Sequence, residues 1–309
     1  MNAMRRQLNL SSVAMLQTIF GAFPQCITEF VDGSKYYIIT AVAIAVTAKL
    51  GFYVQKQNRR KKWNAAGRDV VVVHTFPRGI RIPNLSPFAL KLETYLRMAD
   101  IKYVLDTSQP IGYKGKSPWI TLNGEDIADS QLILEALAKK FNKNFSSHLT
   151  PEQLGVAQAM RVMAEEHYFW CNEIWMCLKD NFNTLLRGFP VPFLLSLAIP
   201  ILKPLLARRA KNMVHANGLG RHTDQEVQDM TYQDLEALSA WLGKKDYCTG
   251  DKATEVDCAI FGLMAQLVWV SPDSPNGRKL REDCSNLIDY CNRMKEKFWP
   301  DWNDNLAKN

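Results

Sequence analysis

Residues Gly250 to Gly262 read GDKATEVDCAIFG, and the helix they open anchors the reading of the C-terminal half. Thr254 stands three residues before Asp257. A hydroxyl at a helix N-cap accepts from an orphan backbone N–H, and an acid three residues on reaches back to the cap. The spacing predicts an apolar helix from Cys258 to Trp269. Downstream, a further helix runs from Asn286 to Trp302 and closes on Trp299-Pro300-Asp301-Trp302. Upstream, Thr223-Asp224-Gln225-Glu226 is a second capping box, and Val227, Met230, Leu235, Leu238 and Leu242 recur at helical spacing behind it. Gly218-Leu219-Gly220-Arg221-His222 lacks the length and the Lys of a phosphate-binding loop and reads as a connector.

The helical pattern continues towards the N-terminus. Pro151 to Lys179 contains no Pro after its first residue and carries Met160, Met163, His167, Trp170, Trp175 and Met176. Glu165, Glu166 and His167 are adjacent, whereas metal ligands on a helix prefer i, i+3 or i, i+4. No metal site is expected there. Phe189 to Leu206 is apolar but holds Pro190, Pro192, Pro200 and Pro204, which argues against a straight spanning helix. Two placements fit it: a groove of the helical domain, or a membrane surface with Arg208, Arg209 and Lys211 at the headgroups.

The first half of the chain alternates in another way. Asp69 to Phe76 (DVVVVHTF) is a continuous β-branched run, as in a strand buried on both faces. A Pro- and Gly-rich loop leads to Ser86-Pro87-Phe88, where Ser is a favoured N-cap and Pro a favoured first helical residue. Lys102 to Leu105 is a short strand. Trp119 to Leu122 and Glu125 to Ile127 flank the hairpin dipeptide Asn123-Gly124. Ala128-Asp129-Ser130 then starts a helix that runs to about Phe141.

This order, with a Pro before a hairpin and an acid-Ser pair at the next helix start, resembles the N-terminal domain of glutathione transferases. GDKATEVDCAIFG closely matches the cap-and-staple motif of their helical domain. PNLSPFALKLETYLRMADI, IADSQLILEAL, ANGLGRHTDQE and the closing FWPDW narrow the resemblance to the failed axon connections family, related to metaxins and to nematode cadmium-responsive proteins. It covers roughly residues 69–302. The resemblance implies an α/β thioredoxin-like domain followed by an all-α domain. It implies a cis peptide at Pro118, with the backbone of Ser117 pairing with the cysteinyl part of glutathione. It implies that Asp129 and Ser130 hold the γ-glutamyl end, where a helix N-terminus offers N–H groups to a carboxylate. Both residues also read as a plain helix cap. Ser86 stands where transferases place a Tyr, Ser or Cys. A hydroxyl there can donate to a glutathione thiolate, whereas the missing Cys argues against thiol-transfer chemistry. Ser86 also reads as an N-cap and nothing more.

The N-terminus adds a further expectation. Tyr37 to Val54 is an apolar run of about 18 residues, roughly 27 Å as a helix, interrupted by Lys49 and followed by Lys56, Arg59, Arg60, Lys61 and Lys62. It reads as a single-pass transmembrane helix over 36–54 with the main domain in the cytosol, the alternative being a buried or amphipathic helix. The expected layout is a tail over 1–35, the span over 36–54, a basic linker over 55–68, a thioredoxin-like domain over 69–146 and a helical domain over 150–302. Residues 1–28 have the composition of either a mitochondrial transit peptide or a disordered tail. The net charge of +7 is concentrated in that basic run, and no nucleic-acid signature accompanies it. Seven cysteines without a CxxC pair suit a reducing compartment.

Three functions are expected from these readings. The first is a non-catalytic interaction, adaptor or stress-response protein tethered to a membrane, with protein partners or a homodimer. The second is a glutathione transferase acting on apolar electrophiles. The third is a metaxin-like component of the mitochondrial outer membrane.

Overall fold

The computed structural model describes residues 33–191 and 193–308, with side chains over 40–191 and 196–308. Most of the N-terminal tail, including residues 1–28 and Cys26, lies outside the described residues, as does Pro192. The chain divides between Lys62 and Trp63 into two compact units.

A four-stranded sheet has the order β2-β1-β3-β4, with β1 Val71–His74, β2 Tyr103–Asp106, β3 Trp119–Leu122 and β4 Glu125–Ala128. β1 runs parallel to β2, and the crossover between them is helix α2, Pro87–Met98. β3 is antiparallel to both β1 and β4. Period-2 alternation sends Val71 and Val73 to one face, where Leu92, Leu96, Ile120 and helix α3 (Ser130–Phe141) bury them. Val72 faces the other way, onto Trp63, Trp119 and Ala128. The uninterrupted β-branched run at 71–73 is thus a central strand buried on both sides.

The second part is helical: α4 (Pro151–Val162), α5 (Phe169–Ile174), α6 (Asn183–Arg187), α7 (Phe193–Asn217), α8 (Asp224–Leu242), α9 (Glu255–Ala265), α10 (Pro275–Asp283) and α11 (Ser285–Phe298). α4 and α5 belong to one continuous run with wider π turns at Met163–Tyr168 and Trp175–Lys179. α9 begins as its spacing predicts. Asp257 accepts from the Thr254 backbone N–H at 2.8 Å and from the Cys248 N–H at 2.7 Å. Every residue of α9 from Val256 to Ala265 is buried.

The N-terminal segment differs from expectation. Helix α1 spans Gly33–Asn64, but among the described residues no helix is long and apolar enough to cross a membrane. The apolar run Tyr37 to Val54 lies within α1 and rises about 27 Å over its 18 residues. That falls short of a hydrocarbon core of roughly 30 Å. Lys49 lies inside the run, and the last turns carry Lys56 and Arg59 to Lys62. The transmembrane helix over 36–54, the single-pass placement and the membrane partnership built on them are therefore not supported. Of the two placements open for Phe189 to Leu206, the groove is not realised along α7, which contains Pro200 and Pro204 and exposes Leu197, Ile201 and Leu205, while Phe189 packs on the helical core.

The C-terminal FWPDW segment closes back onto α2. Arg97 stacks its guanidinium 3.9 Å from the Trp299 ring centre and donates to both carboxylate oxygens of Asp301, at 2.5 and 3.0 Å. This bidentate pairing holds the Asp301 carboxyl at about 2, below its ordinary 3.8. A depressed folded-state value adds stability above the unfolded pKa, and that stability is lost as pH falls through the folded one. The urea midpoint of Asp301→Asn should therefore lie below that of the parent chain at pH 5, and the gap should close as pH is lowered from about 4 to about 2. A constant gap over that window would remove the ion pair from the account.

Candidate glutathione-type site at the sheet edge

Three of the expected site segments converge at one end of the sheet. The Ser117-Pro118 peptide is cis and leads directly into β3. Trp119 pairs with His74 on one side and with Ala128 on the other. Pro118, Thr75 and Asp129 thus stand just beyond the ends of three neighbouring strands.

Ser86 is brought to the same end by a buried polar network. Asn84, with no exposed surface, donates from Nδ2 to Thr75 Oγ1 at 3.1 Å and to Glu93 Oε1 at 3.2 Å. Its Oδ1 accepts from the Ser86 backbone N–H at 3.0 Å. Glu93 is fully buried and paired with Arg78 at 2.8 Å; burial pushes its carboxyl up and Arg78 opposes that shift. Ser86 caps α2, its Oγ accepting from the Ala89 N–H at 3.3 Å. The capping role is realised, and it uses the hydroxyl only as an acceptor, which leaves the O–H as a donor.

At the opposite side of the edge, Asp129 adopts φ 89° and ψ 120°. An acid in that region carries a strain of about 1–3 kcal/mol, and such residues cluster at ligand sites. One of its oxygens, Oδ1, accepts from the Gln131 and Leu132 N–H groups at 3.1 and 3.3 Å. Ser130, the first residue of α3, is buried. Ser117 Oγ is buried with no hydrogen-bond partner among the described residues. A buried hydroxyl without a partner costs about 1–3 kcal/mol, and a ligand polar atom would relieve it. A buried hydroxyl beside a helix N-terminus suits a polar, peptide-like ligand.

Two further features frame the edge. Lys91, almost fully buried on α2, donates to Gln131 Oε1 at 2.9 Å and pairs with Glu165 at 2.5 Å. Burial pushes its amine down and Glu165 opposes the shift. Beside Leu85 a cleft of about 350 Å³ opens between the loop before α2 and the helical part, lined by Arg81, Leu85, Trp175, Arg187, Val270 and Ser271 among others.

Known proteins resemble this chain in sequence and fold. The family model for the glutathione S-transferase N-terminal domain matches residues 87–182, and that for the C-terminal domain matches residues 231–294. The Drosophila melanogaster protein Failed axon connections is 34% identical over 273 residues, 83% of this chain. The chain belongs to the failed axon connections family. It spans 63% of that relative's own length. Another relative, the isoprene-epoxide–glutathione S-transferase of Rhodococcus sp. (strain AD45), is 26% identical over 74% of this chain and 99% of the enzyme. Metaxin-2 of Mus musculus is 23% identical over 69% of this chain and 82% of its own length. Among solved structures, a beta-etherase from Sphingobium sp. strain SYK-6 shares the fold with a TM-score of 0.53 and 16% identity, covering 75% of this chain and 99% of that one.

In this family member the buried His74 was not foreseen as a polar centre of β1. It stacks on Trp119 with ring centres 3.6 Å apart and lies 3.1 Å from Asp106 Oδ2 and 3.0 Å from Thr121 Oγ1. The Asp-His-Thr order has the outline of a nucleophile triad, but Thr121 donates its hydroxyl to Asp126 at 2.8 Å and is buried. The cluster is structural. Asn84 was likewise missed, because an Asn in a Pro-rich loop reads as a turn residue. Asn84→Ala should lower stability by about 2–4 kcal/mol, since Glu93, Thr75 and the Ser86 N–H each lose a partner in the interior. Urea unfolding checks this, and a loss under about 0.5 kcal/mol, within the range of surface substitutions, would show that the network does not fix the loop.

Proposed function

We propose that this protein binds glutathione at the sheet edge formed by Ser117, Pro118, Asp129 and Ser130. The single observation that carries the reading is the buried Ser117 Oγ, which has no hydrogen-bond partner among the described residues. The strained Asp129 at the start of α3 supports it from the other side of the site. Bound glutathione supplies a thiol. The first N–H groups of α3 suit its γ-glutamyl carboxylate, although two of them are now answered by Asp129 Oδ1. Asp129 Oδ2 suits the ammonium.

Ser86 decides whether binding leads to chemistry. Its O–H can donate to a thiolate and lower the thiol's pKa, which favours attack on an electrophile. The cleft beside Leu85 is lined by Trp175 and Val270, with Arg81 and Arg187 among its other walls. Asp180 and Asp273 line it too and balance the arginines, so what it suits is a small molecule with an apolar face against Leu85, Trp175 and Val270. The name of the Rhodococcus relative, a glutathione S-transferase for an isoprene epoxide, supports the same substrate class. The contrary reading, a binding or adaptor role without chemistry, is favoured by one observation: Ser86 Oγ already serves as the α2 cap.

Titration calorimetry with glutathione, paired with a conjugation assay on a small apolar epoxide, separates these readings. We expect binding in the millimolar range or tighter. Ser86→Ala should keep that binding and lower conjugation by about 10²-fold, the scale of losing one positioned donor. Binding without conjugation in the parent chain would establish the adaptor reading. Absence of binding at millimolar glutathione would overturn the proposal.

A further inference from the structure

A second polar cluster lies in the helical part. His167, at the end of the π turn Met163–Tyr168, and Cys171, in α5, are four residues apart in the chain. Asp234, on α8, meets them from across the bundle, with His167 Nδ1 2.6 Å from Asp234 Oδ2. One donor atom from each of the three residues lies within 4.8 Å of the other two. Cys171 and Asp234 are buried, whereas the His167 side chain is 40% exposed and gives the cluster a solvent side.

An independent observation sits at the same place. Tyr168 is buried, and its hydroxyl has no hydrogen-bond partner among the described residues. Tyr168 follows His167 directly in the chain and shares a buried core with Leu235, the residue after Asp234. A large buried side chain with an unsatisfied hydroxyl is costly to maintain without a partner. The π turn adds to this, since such widened turns are frequent at functional sites.

We propose that His167, Cys171 and Asp234 form a binding site for a zinc-class divalent cation, bridging α5 and α8. Imidazole nitrogen, thiolate and carboxylate are the donors such an ion takes, three from the protein with the fourth position left open. Tetrahedral bonds of about 2.0–2.3 Å place donors roughly 3.3–3.8 Å apart. The present separations need changes of no more than about an ångström to meet that. Thiolate is the form that binds, so the ion must displace the Cys171 proton. Three facing ligands from two helices would cross-link the bundle and stabilise the folded chain over the unfolded one. The site is separate from the sheet edge and does not depend on glutathione binding.

The test uses the full chain, stripped with chelator and titrated with ZnCl₂ and, as a spectroscopic stand-in, CoCl₂. The expected result is one ion per chain, a cobalt–thiolate charge-transfer band, proton release and a rise in thermal midpoint. Cys171→Ser should abolish the band. His167→Gln, at a half-exposed position that tolerates change, should weaken zinc binding by about 100-fold or more. Cys177→Ser, a buried thiol outside the cluster, should leave binding intact. Absence of stoichiometric uptake, or a band that survives Cys171→Ser and binding that survives His167→Gln, would overturn the proposal.

Discussion

The close approach of α9 to α2 is the constraint on which the rest of the structure depends. At Gly262 a Cβ would lie 2.4 Å from the Pro87 carbonyl oxygen and 3.1 Å from the Lys91 nitrogen. Only a residue without a side chain lets the two helices meet there. Because Pro87 is the first residue of α2, the contact seats the helix start on the buried helix α9. Lys91 then pairs with Glu165, and Gln266 donates to the Asn84 carbonyl at 3.3 Å. Removing one partner from a buried pair of this kind leaves an uncompensated charge. The sheet edge is therefore rigid where Ser86 stands, because the helical part holds it from behind.

The same contact explains why the cap at Thr254 and Asp257 matters far from itself. The cap sets where α9 begins, and the start of α9 sets where Gly262 falls against α2. A helix apolar on every side has no preferred face of its own. Its rotation and register come from the cap, which fixes its first turn, and from the glycine, which admits α2 on one side only.

The chain carried most of this architecture in readable form. The β-branched run at 71–73, the Ser-Pro helix start at 86–87, the Asn123-Gly124 turn and the two capping boxes at Thr223 and Thr254 each rest on a local preference that the tertiary structure preserves. The features that could not be read depended on distant partners. Asn84 matters through Thr75, Glu93 and Ser86 together. His74 hides in an apolar pattern because Asp106 and Thr121 supply its hydrogen bonds from other strands. The i, i+4 spacing of His167 and Cys171 was in the sequence, but their meeting with Asp234, 67 residues beyond His167, comes from the fold. The N-terminal segment failed for a different reason. Apolar content over 37–54 sits in a helix that also carries Lys49 inside the run and a dense basic stretch behind it.

A glutathione site at the Pro118 edge is tested most directly by amide chemical-shift mapping of the labelled chain titrated with glutathione. Saturable shifts are expected at Ser86, Ser117, Trp119 and Asp129 to Leu132, with α8 and α11 unaffected. Shifts that are absent at millimolar glutathione, or that map to a surface away from the Pro118 edge, would contradict it.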